Sequence, residues 1–208
     1  MVGSPPRNRI EYFTSAKTTR PIPVDGDLFR HALIRATLDP AVRSIDSFPC
    51  AISRYSPRLA IVARDDGRFA FGLNGDALSS AAQLLGDSER LPTLMLTEKE
   101  LRSEPRYANE GLIWLHRKRR VSNGIRFQIL RALAVSGPMR LGDLISAVQI
   151  AHRSTTAAFA MVCADLVEFD DLSSRPVGTD TIIRRRVLSA SKPAVADATH
   201  LRPALPDG

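Results

Sequence analysis

Residues 55–75 read YSPRLAIVARDDGRFAFGLNG, and this stretch predicts the β-hairpin around which the chain folds. Residues 59–63 form a continuous apolar run of the kind that a fully buried strand shows. Asp66-Gly67 then gives a strong signal for a tight turn between two strands. The next strand alternates large apolar residues with small or polar ones, in the order Phe69, Ala70, Phe71, Gly72, Leu73, Asn74. One face is therefore nearly bare, which suits the close approach of a packed helix or of a nucleic-acid backbone.

The composition is that of a globular protein with a basic surface. The chain has 208 residues, of which 44% are hydrophobic and 25% charged, enough for one large domain or two small ones. Its net charge of +7 favours an anionic partner, most often nucleic acid. A basic soluble protein without such a partner is the alternative.

Membrane and secretory signals are not found in the sequence. No apolar run approaches the ~18 residues of a membrane span, and residues 1–9 lack the apolar core of a signal peptide. Cys50 and Cys163 are far apart, which is typical of free thiols in a reducing compartment. We therefore expect a cytoplasmic, nucleoid-associated protein without a membrane partner.

The first part of the chain predicts a mixed α/β domain over residues 10–121, after a Pro-rich disordered arm at 1–9. A short strand is expected at 10–13, and residues 17–23 are expected to be extended or looped. A helix with one apolar face follows and ends at Asp39-Pro40. The sequence then predicts an extended segment over 42–55, the hairpin, a helix over 77–85 and a strand over 94–96. Thr97 and Glu100 form a capping-box pattern.

Ser122-Asn123-Gly124 breaks the pattern and predicts a boundary between two domains. Beyond it, apolar spacing predicts three helices, near 125–133, 141–148 and 154–166. Two strands follow, at 167–169 and 181–188, separated by a loop. Three helices and a two-stranded ribbon are typical of a winged helix-turn-helix domain, here over residues 122–188. Residues 189–208 are rich in Ala and Pro and predict a disordered tail.

Basic and polar residues in this second part, and just before it, are the candidate DNA contacts. The basic run at 117–120 is expected at the end of a helix, where its positive charge also suits the helix dipole. Residues 153–156 begin the third helix, which in such domains enters the major groove. Residues 184–186 lie on the last strand. Alternation along that strand sends Arg184 and Arg186 to one face and Arg185 to the other. The candidate set is Arg117, Lys118, Arg119, Arg120, Arg153, Ser154, Thr155, Thr156, Arg184, Arg185 and Arg186.

Motifs for cofactor and metal chemistry are missing from the sequence. No G-x-G-x-x-G occurs, and the P-loop spacing of Gly137 and Gly142 carries Asp143 where the phosphate-binding lysine belongs. The four histidines show no zinc-ligand spacing. We therefore predict no cofactor and no metal.

The order of parts resembles the TnsA-like transposon endonucleases over roughly residues 26–188. Residues 38–42 (LDPAV) are similar to the family's "DP-x-V" after its first helix, and residues 55–59 (YSPRL) to its "Y-T-P-D-F" strand. Residues 94–115 are similar to its "V-T-E … I-R … N-x-x-x-L" stretch. The resemblance implies a restriction-endonuclease-like fold over residues 10–121, followed by a winged helix.

The residues that the family's chemistry needs are replaced in this chain. Carboxylates hold the Mg²⁺ ion that activates water, yet Phe29 stands at the glutamate position and Arg58 at the aspartate position. Gly72-Leu73-Asn74 stands where the family has "E-V-K". Arg58 is expected either to contact a phosphate or to pair with an acidic neighbour. Asp65 and Asp66 are an alternative pair of metal ligands.

The sequence thus predicts an α+β protein, a degenerate nuclease-like domain joined to a winged helix, that binds double-stranded DNA without cutting it. It would regulate a mobile element or serve as an accessory subunit beside a mobile-element or transcription partner, with homodimerisation as an option. The alternatives are a divergent metal-dependent DNA endonuclease and a module whose winged helix binds another protein.

Overall fold

The computed structural model describes residues 11–24, 26–47, 59–73, 91–148 and 154–186, and it confirms a mixed α+β protein. The elements before Ser122 are β1 (Glu11–Phe13), β2 (Ile22–Val24), α1 (Asp27–Leu38), β3 (Val42–Ser47), β4 (Leu59–Arg64), β5 (Gly67–Leu73), β6 (Thr93–Leu96), α2 (Glu98–Leu101) and α3 (Arg106–Trp114). Those after it are α4 (Asn123–Ser136), β7 (Met139–Arg140), α5 (Leu141–Ala147), α6 (Ser154–Cys163), β8 (Val167–Phe169) and β9 (Ile182–Arg185).

The predicted hairpin is confirmed as β4 and β5, the middle of a four-stranded sheet of order β3-β4-β5-β6. β3, β4 and β5 are antiparallel, and β6 runs parallel to β5. The turn occupies Asp65 and Asp66, one residue earlier than the dipeptide predicted, since Arg64 pairs with Gly67. Gly67 has a φ of 144°, a conformation that side chains rarely adopt, which explains a glycine at this turn.

Helix α1 packs on this sheet through the apolar face that the sequence predicts. Phe29, Ala32 and Leu33 are fully buried, as are Ala60 and Val62 on the sheet. The helix ends at Leu38, with Asp39 as its C-cap, one residue before the proline. The capping box at the start of α2 is also confirmed, because Glu100 N donates to Thr97 Oγ1 and Thr97 N to Glu100 Oε2.

The second face of the hairpin is buried as well. Leu59, Ile61 and Ala70 are all less than 7% exposed, although they lie outside the main core cluster. The small Ala70 therefore fits a closely packed face. The helix predicted over 77–85, the arm, the tail and the residues Cys50, Arg58 and Asn74 fall outside the described residues.

Elements after Ser122 form three helices and a three-stranded antiparallel sheet of order β7-β9-β8. The last strand in sequence is thus the central strand of its sheet. Helix α4 begins and ends close to its predicted bounds, with Ser122 as N-cap and Gly137 as C-cap. Helix α6 ends at Cys163, three residues before the predicted Leu166. None of the helices in the described ranges is long and apolar enough to cross a membrane.

One hydrophobic core extends across the predicted boundary at Ser122. Helix α6 packs on α3 and α1 as well as on α4 and α5. The side chain of Asn109 donates to the carbonyls of Leu172 and Arg175, at 2.8 Å each, and accepts from Val177 N at 2.9 Å. Cys163 is a free thiol, as predicted, and burial raises its pKa to about 12. The two halves therefore share their interior.

Candidate nucleic-acid interface

A stretch that follows α3 and includes α4 carries an excess of positive charge. We call residues 117–140 the basic segment. It contains seven Lys and Arg residues and no Asp or Glu, so its net charge equals that of the whole chain, +7. The seven are Arg117, Lys118, Arg119, Arg120, Arg126, Arg131 and Arg140, and all of them are exposed.

Most of these cations have no acidic neighbour among the described residues. Arg117 lies over the Trp114 ring, 5.2 Å from its centroid, and donates to the Trp114 carbonyl. Arg140 makes a long ion pair with Asp180, at 3.8 Å. The other five pair with no carboxylate in the part of the chain that the structure describes. Because exposed and unpaired cations repel one another, this surface favours an anion that brings several charges.

The basic segment is held in place by packing on its inner side. Ile129 and Leu133 of α4 are buried against the core, and Ser122 Oγ accepts from Ile125 N at the helix start. Before the helix, His116 N donates to the Ile113 carbonyl and its ring packs on Phe159 at 5.5 Å. The cations therefore project from a fixed backbone.

The start of α6 offers less to DNA than the winged-helix expectation supposes. Every residue from 157 to 163 is buried, and Thr155 and Thr156 are half-buried. Helix α6 begins at Ser154, whose side chain, like Arg153, lies outside the described residues. Because α6 is covered by α3 and α1, its middle cannot enter a major groove in this conformation.

The three arginines at the end of β9 divide as strand alternation predicts. Arg184 pairs with Glu168 at 2.6 Å and with Asp170 at 3.0 Å, and Arg186 also reaches Glu168, at 3.2 Å. Arg185 is on the other face and exposed. The expectation that Arg186 contacts DNA is corrected, because its side chain is only 2% exposed and is enclosed by acidic partners.

Arg186 belongs to a buried ionic cluster that joins both halves of the protein. It pairs with Asp165 at 2.9 Å and donates to the Val42 carbonyl at 2.9 Å. Lys17 reaches the same Asp165 at 3.3 Å and donates to the Asp39 carbonyl at 2.7 Å. Burial lowers the pKa of Lys17 to about 8, although Asp165 opposes this shift. No sequence signal indicated this cluster, since Lys17 is far from the others along the chain.

A second buried cluster is centred on Glu110, which is fully buried on α3. His31 and Arg35 of α1 contact its carboxylate at 2.8 Å, and Arg106 does so at 2.7 Å. Burial alone would raise the pKa of Glu110, but hydrogen bonds from His31, Arg35 and Arg106 hold it below its usual value. The four-residue spacing of Arg106 and Glu110 was the only visible signal of this contact in the sequence.

A cleft of about 760 Å³ opens beside α1 and the sheet, with Val62, Phe71 and Leu94 on its apolar floor. Its charged rim is already paired in part, as Arg35 and Arg106 bind Glu110 and Arg64 binds Asp39 at 3.4 Å. Within the described ranges, no three His, Cys, Asp or Glu residues lie where they could hold a metal ion.

Three of the positions considered above as metal ligands lie in the described residues, and their side chains are engaged in other contacts. Phe29 is completely buried in the core. Asp65 is bound by Arg43, whose hydrogen bond lowers the pKa of that carboxyl, and Asp66 pairs with Arg64 at 3.3 Å. Both carboxylates of the turn thus face arginines.

No protein-family model matches this chain, and no curated protein matches it either.

Proposed function

We propose that the protein binds double-stranded DNA without cutting it and holds the phosphates through the basic segment. The observation that carries this proposal is a group of five exposed cations with no acidic partner among the described residues, Lys118, Arg119, Arg120, Arg126 and Arg131. DNA offers regularly spaced phosphates, and each Lys or Arg that meets one releases a condensed counterion. The proposed biological role is that of a regulator or accessory subunit of a mobile element.

The architecture that goes with this proposal is a winged helix joined to a nuclease-like domain. In support, α4, β7, α5, α6, β8 and β9 follow one another as in a winged helix, and residues 170–181 take the place of its wing. A helix followed by three antiparallel strands and a parallel fourth, α1 and β3 to β6, suits the resemblance to the transposon endonucleases. The buried Phe29 supports a domain that has lost its chemistry.

The proposed mode of binding relies on phosphates rather than base edges. Residues 157–163 of α6 are buried, so among the described residues the proposed surface for DNA is the basic segment, with Arg185 as a further exposed cation. Phosphate contacts fix position and orientation but carry no sequence information. We therefore expect low sequence specificity and a steep dependence on salt.

The experiment is a fluorescence-anisotropy titration of a duplex of about 20 base pairs at salt concentrations from about 50 to about 200 mM. Arg119→Ala/Arg120→Ala should lower the slope of log K against log salt by about 1.8, or 0.9 per phosphate contact. At about 0.1 M salt the same two contacts correspond to an affinity loss of roughly 60-fold, if counterion release accounts for them fully.

The matched control is Arg20→Ala/Arg102→Ala, which removes the same charge from two exposed positions outside the basic segment. This control should keep most of the affinity, since only charges at the interface release counterions in direct contact. Equal losses of duplex affinity in the two double variants would show that only the net charge matters, and would refute the assigned surface. A wild-type protein that does not bind the duplex at low salt would refute the function itself.

A further inference from the structure

Exposed apolar side chains lie in the basic segment and just before it. Among the described residues, five large hydrophobic side chains are exposed, and four of them lie between positions 112 and 135. These four are Leu112 at 40%, Leu115 at 74%, Phe127 at 64% and Val135 at 81% exposure. Phe127 and Val135 thus lie within the basic segment, and Leu112 and Leu115 lie just before it. Phosphate binding alone does not need these apolar groups.

The outward face of α4 alternates apolar and cationic groups. Phe127, Arg131 and Val135 follow one another at four-residue spacing, so they lie in one row with about 5–6 Å between neighbouring Cβ atoms. Ile129 and Leu133 occupy the opposite, buried face. The exposed Phe127 ring therefore has a guanidinium one turn away on its own row.

This pattern matches a ligand that presents anions and flat apolar faces in alternation. In a single-stranded nucleic acid, phosphates alternate with bases whose faces are free to stack on an aromatic ring. A duplex keeps the same base faces within its own stack, so a surface phenylalanine gains little from it. The row therefore fits unpaired nucleotides better than paired ones.

Charge and pattern argue against two other occupants. A second copy of the chain would bring two basic segments together, each with seven cations and no acidic residue. A membrane-surface helix separates a continuous apolar face from a cationic one. Here Arg131 interrupts the apolar row between Phe127 and Val135.

We infer that Phe127 is a stacking platform for an unpaired base of single-stranded DNA or RNA, with Arg126 and Arg131 holding the adjoining phosphates. This inference rests on the proposed function, because the same basic segment supplies the phosphate contacts. It adds unpaired nucleotides, at an opened or single-stranded end of DNA, to the substrates of this surface.

The test compares oligo-dT of about 20 nucleotides with a duplex of equal length, at one salt concentration. Phe127→Ala should weaken oligo-dT binding by roughly five- to 150-fold, the range that one stacked base contributes, and leave duplex affinity unchanged. Phe127→Tyr should restore binding because it keeps a ring. Val135→Ala is the matched control, a truncation of another exposed apolar side chain on the same row but one without a ring, and should bind oligo-dT as the wild type does.

Several results would overturn the stacking role and leave the proposed function intact. These are an unchanged oligo-dT affinity in Phe127→Ala, an equal loss on oligo-dT and duplex, or an equal loss in Val135→Ala. Two other results would assign the row to a different partner. If Phe127→Ala abolished binding to vesicles of anionic phospholipid but left oligo-dT affinity unchanged, the partner would be a membrane. If it abolished dimer formation in sedimentation but left oligo-dT affinity unchanged, the partner would be a second copy of the chain. Oligo-dT binding that depends on Phe127 without any duplex binding would support the stacking role and refute the proposed binding of double-stranded DNA.

Discussion

Replacing Glu110 with Gln should destabilise the protein strongly, although it leaves the size of the buried side chain almost unchanged. Glu110 is fully buried, and three basic side chains contact its carboxylate within 2.8 Å. The amide leaves the Arg35 guanidinium buried without its counter-charge, and breaking a buried pair from one side typically costs about 3–5 kcal/mol. Arg35 keeps hydrogen bonds to the carbonyls of Glu100 and Leu101, which favours the lower end, about 3 kcal/mol.

Urea unfolding followed by circular dichroism measures this change in the free energy of unfolding. The matched control is Glu98→Gln, which breaks the exposed ion pair with Arg102 and should leave the urea midpoint unchanged, because such surface pairs contribute little. A loss of about 3 kcal/mol is a large fraction of the stability of an ordinary domain. The variant should therefore unfold at a clearly lower urea concentration.

The pH dependence separates a charge effect from a packing effect. The pKa of Glu110 is lower in the folded protein than in the unfolded chain, so its contribution is present above about pH 4.3 and is lost as the pH falls through the folded value. Glu110→Gln has no such group, so its deficit relative to the wild type should shrink in acid. An unchanged midpoint at neutral pH, or a deficit that stays constant down to the acid unfolding range, would refute this account.

Two further predictions concern the buried cluster at Asp165. Arg186→Ala should cost up to about 3 kcal/mol in urea unfolding, because it leaves Asp165 with Lys17 alone and Glu168 with Arg184 alone. Arg185→Ala should unfold like the wild type, and equal midpoints in the two variants would contradict this assignment. The second prediction concerns Lys17, whose pKa of about 8 in the folded protein lies below the ordinary 10.5. Between these two pH values the unfolded chain therefore binds more protons than the folded protein. The free energy of unfolding should rise with pH across that window, by about 3 kcal/mol in full. Lys17→Met should lack this rise, and a wild-type-minus-variant difference that stays flat from about pH 7.5 to 10 would count against it.

Local patterns in the sequence predicted the elements whose stability comes from near neighbours. The hairpin follows from strand alternation and a glycine at the turn, α1 from its apolar face, and α2 from the capping box of Thr97 and Glu100. Strand β7 was not predicted, because its two residues carry no periodicity and form a strand only by pairing with β9. The basic run at 117–120 was found because cations next to one another are visible in any sequence.

The features of the candidate site that could not be predicted from the sequence depend on residues that are distant along the chain. Arg184, Arg185 and Arg186 look equivalent as a triplet. Yet Arg186 is buried against Asp165, Arg184 is paired with Glu168 and Asp170, and Arg185 is exposed on the other face. Phe127 lies two residues from Ile125 and Ile129 and so off the apolar face of α4, but only the structure shows that 64% of its side chain is exposed.

The strand order β7-β9-β8 has a consequence for synthesis on the ribosome. β9 lies between two strands that precede it in sequence, so neither β7 nor β8 has its sheet partner until Ile182–Arg185 has been translated. Lys17 likewise waits for Asp165, more than a hundred residues later. A nascent chain that has not yet delivered this strand exposes apolar surface to its neighbours on a polysome, and chaperones would have to shield that surface until translation passes Arg186.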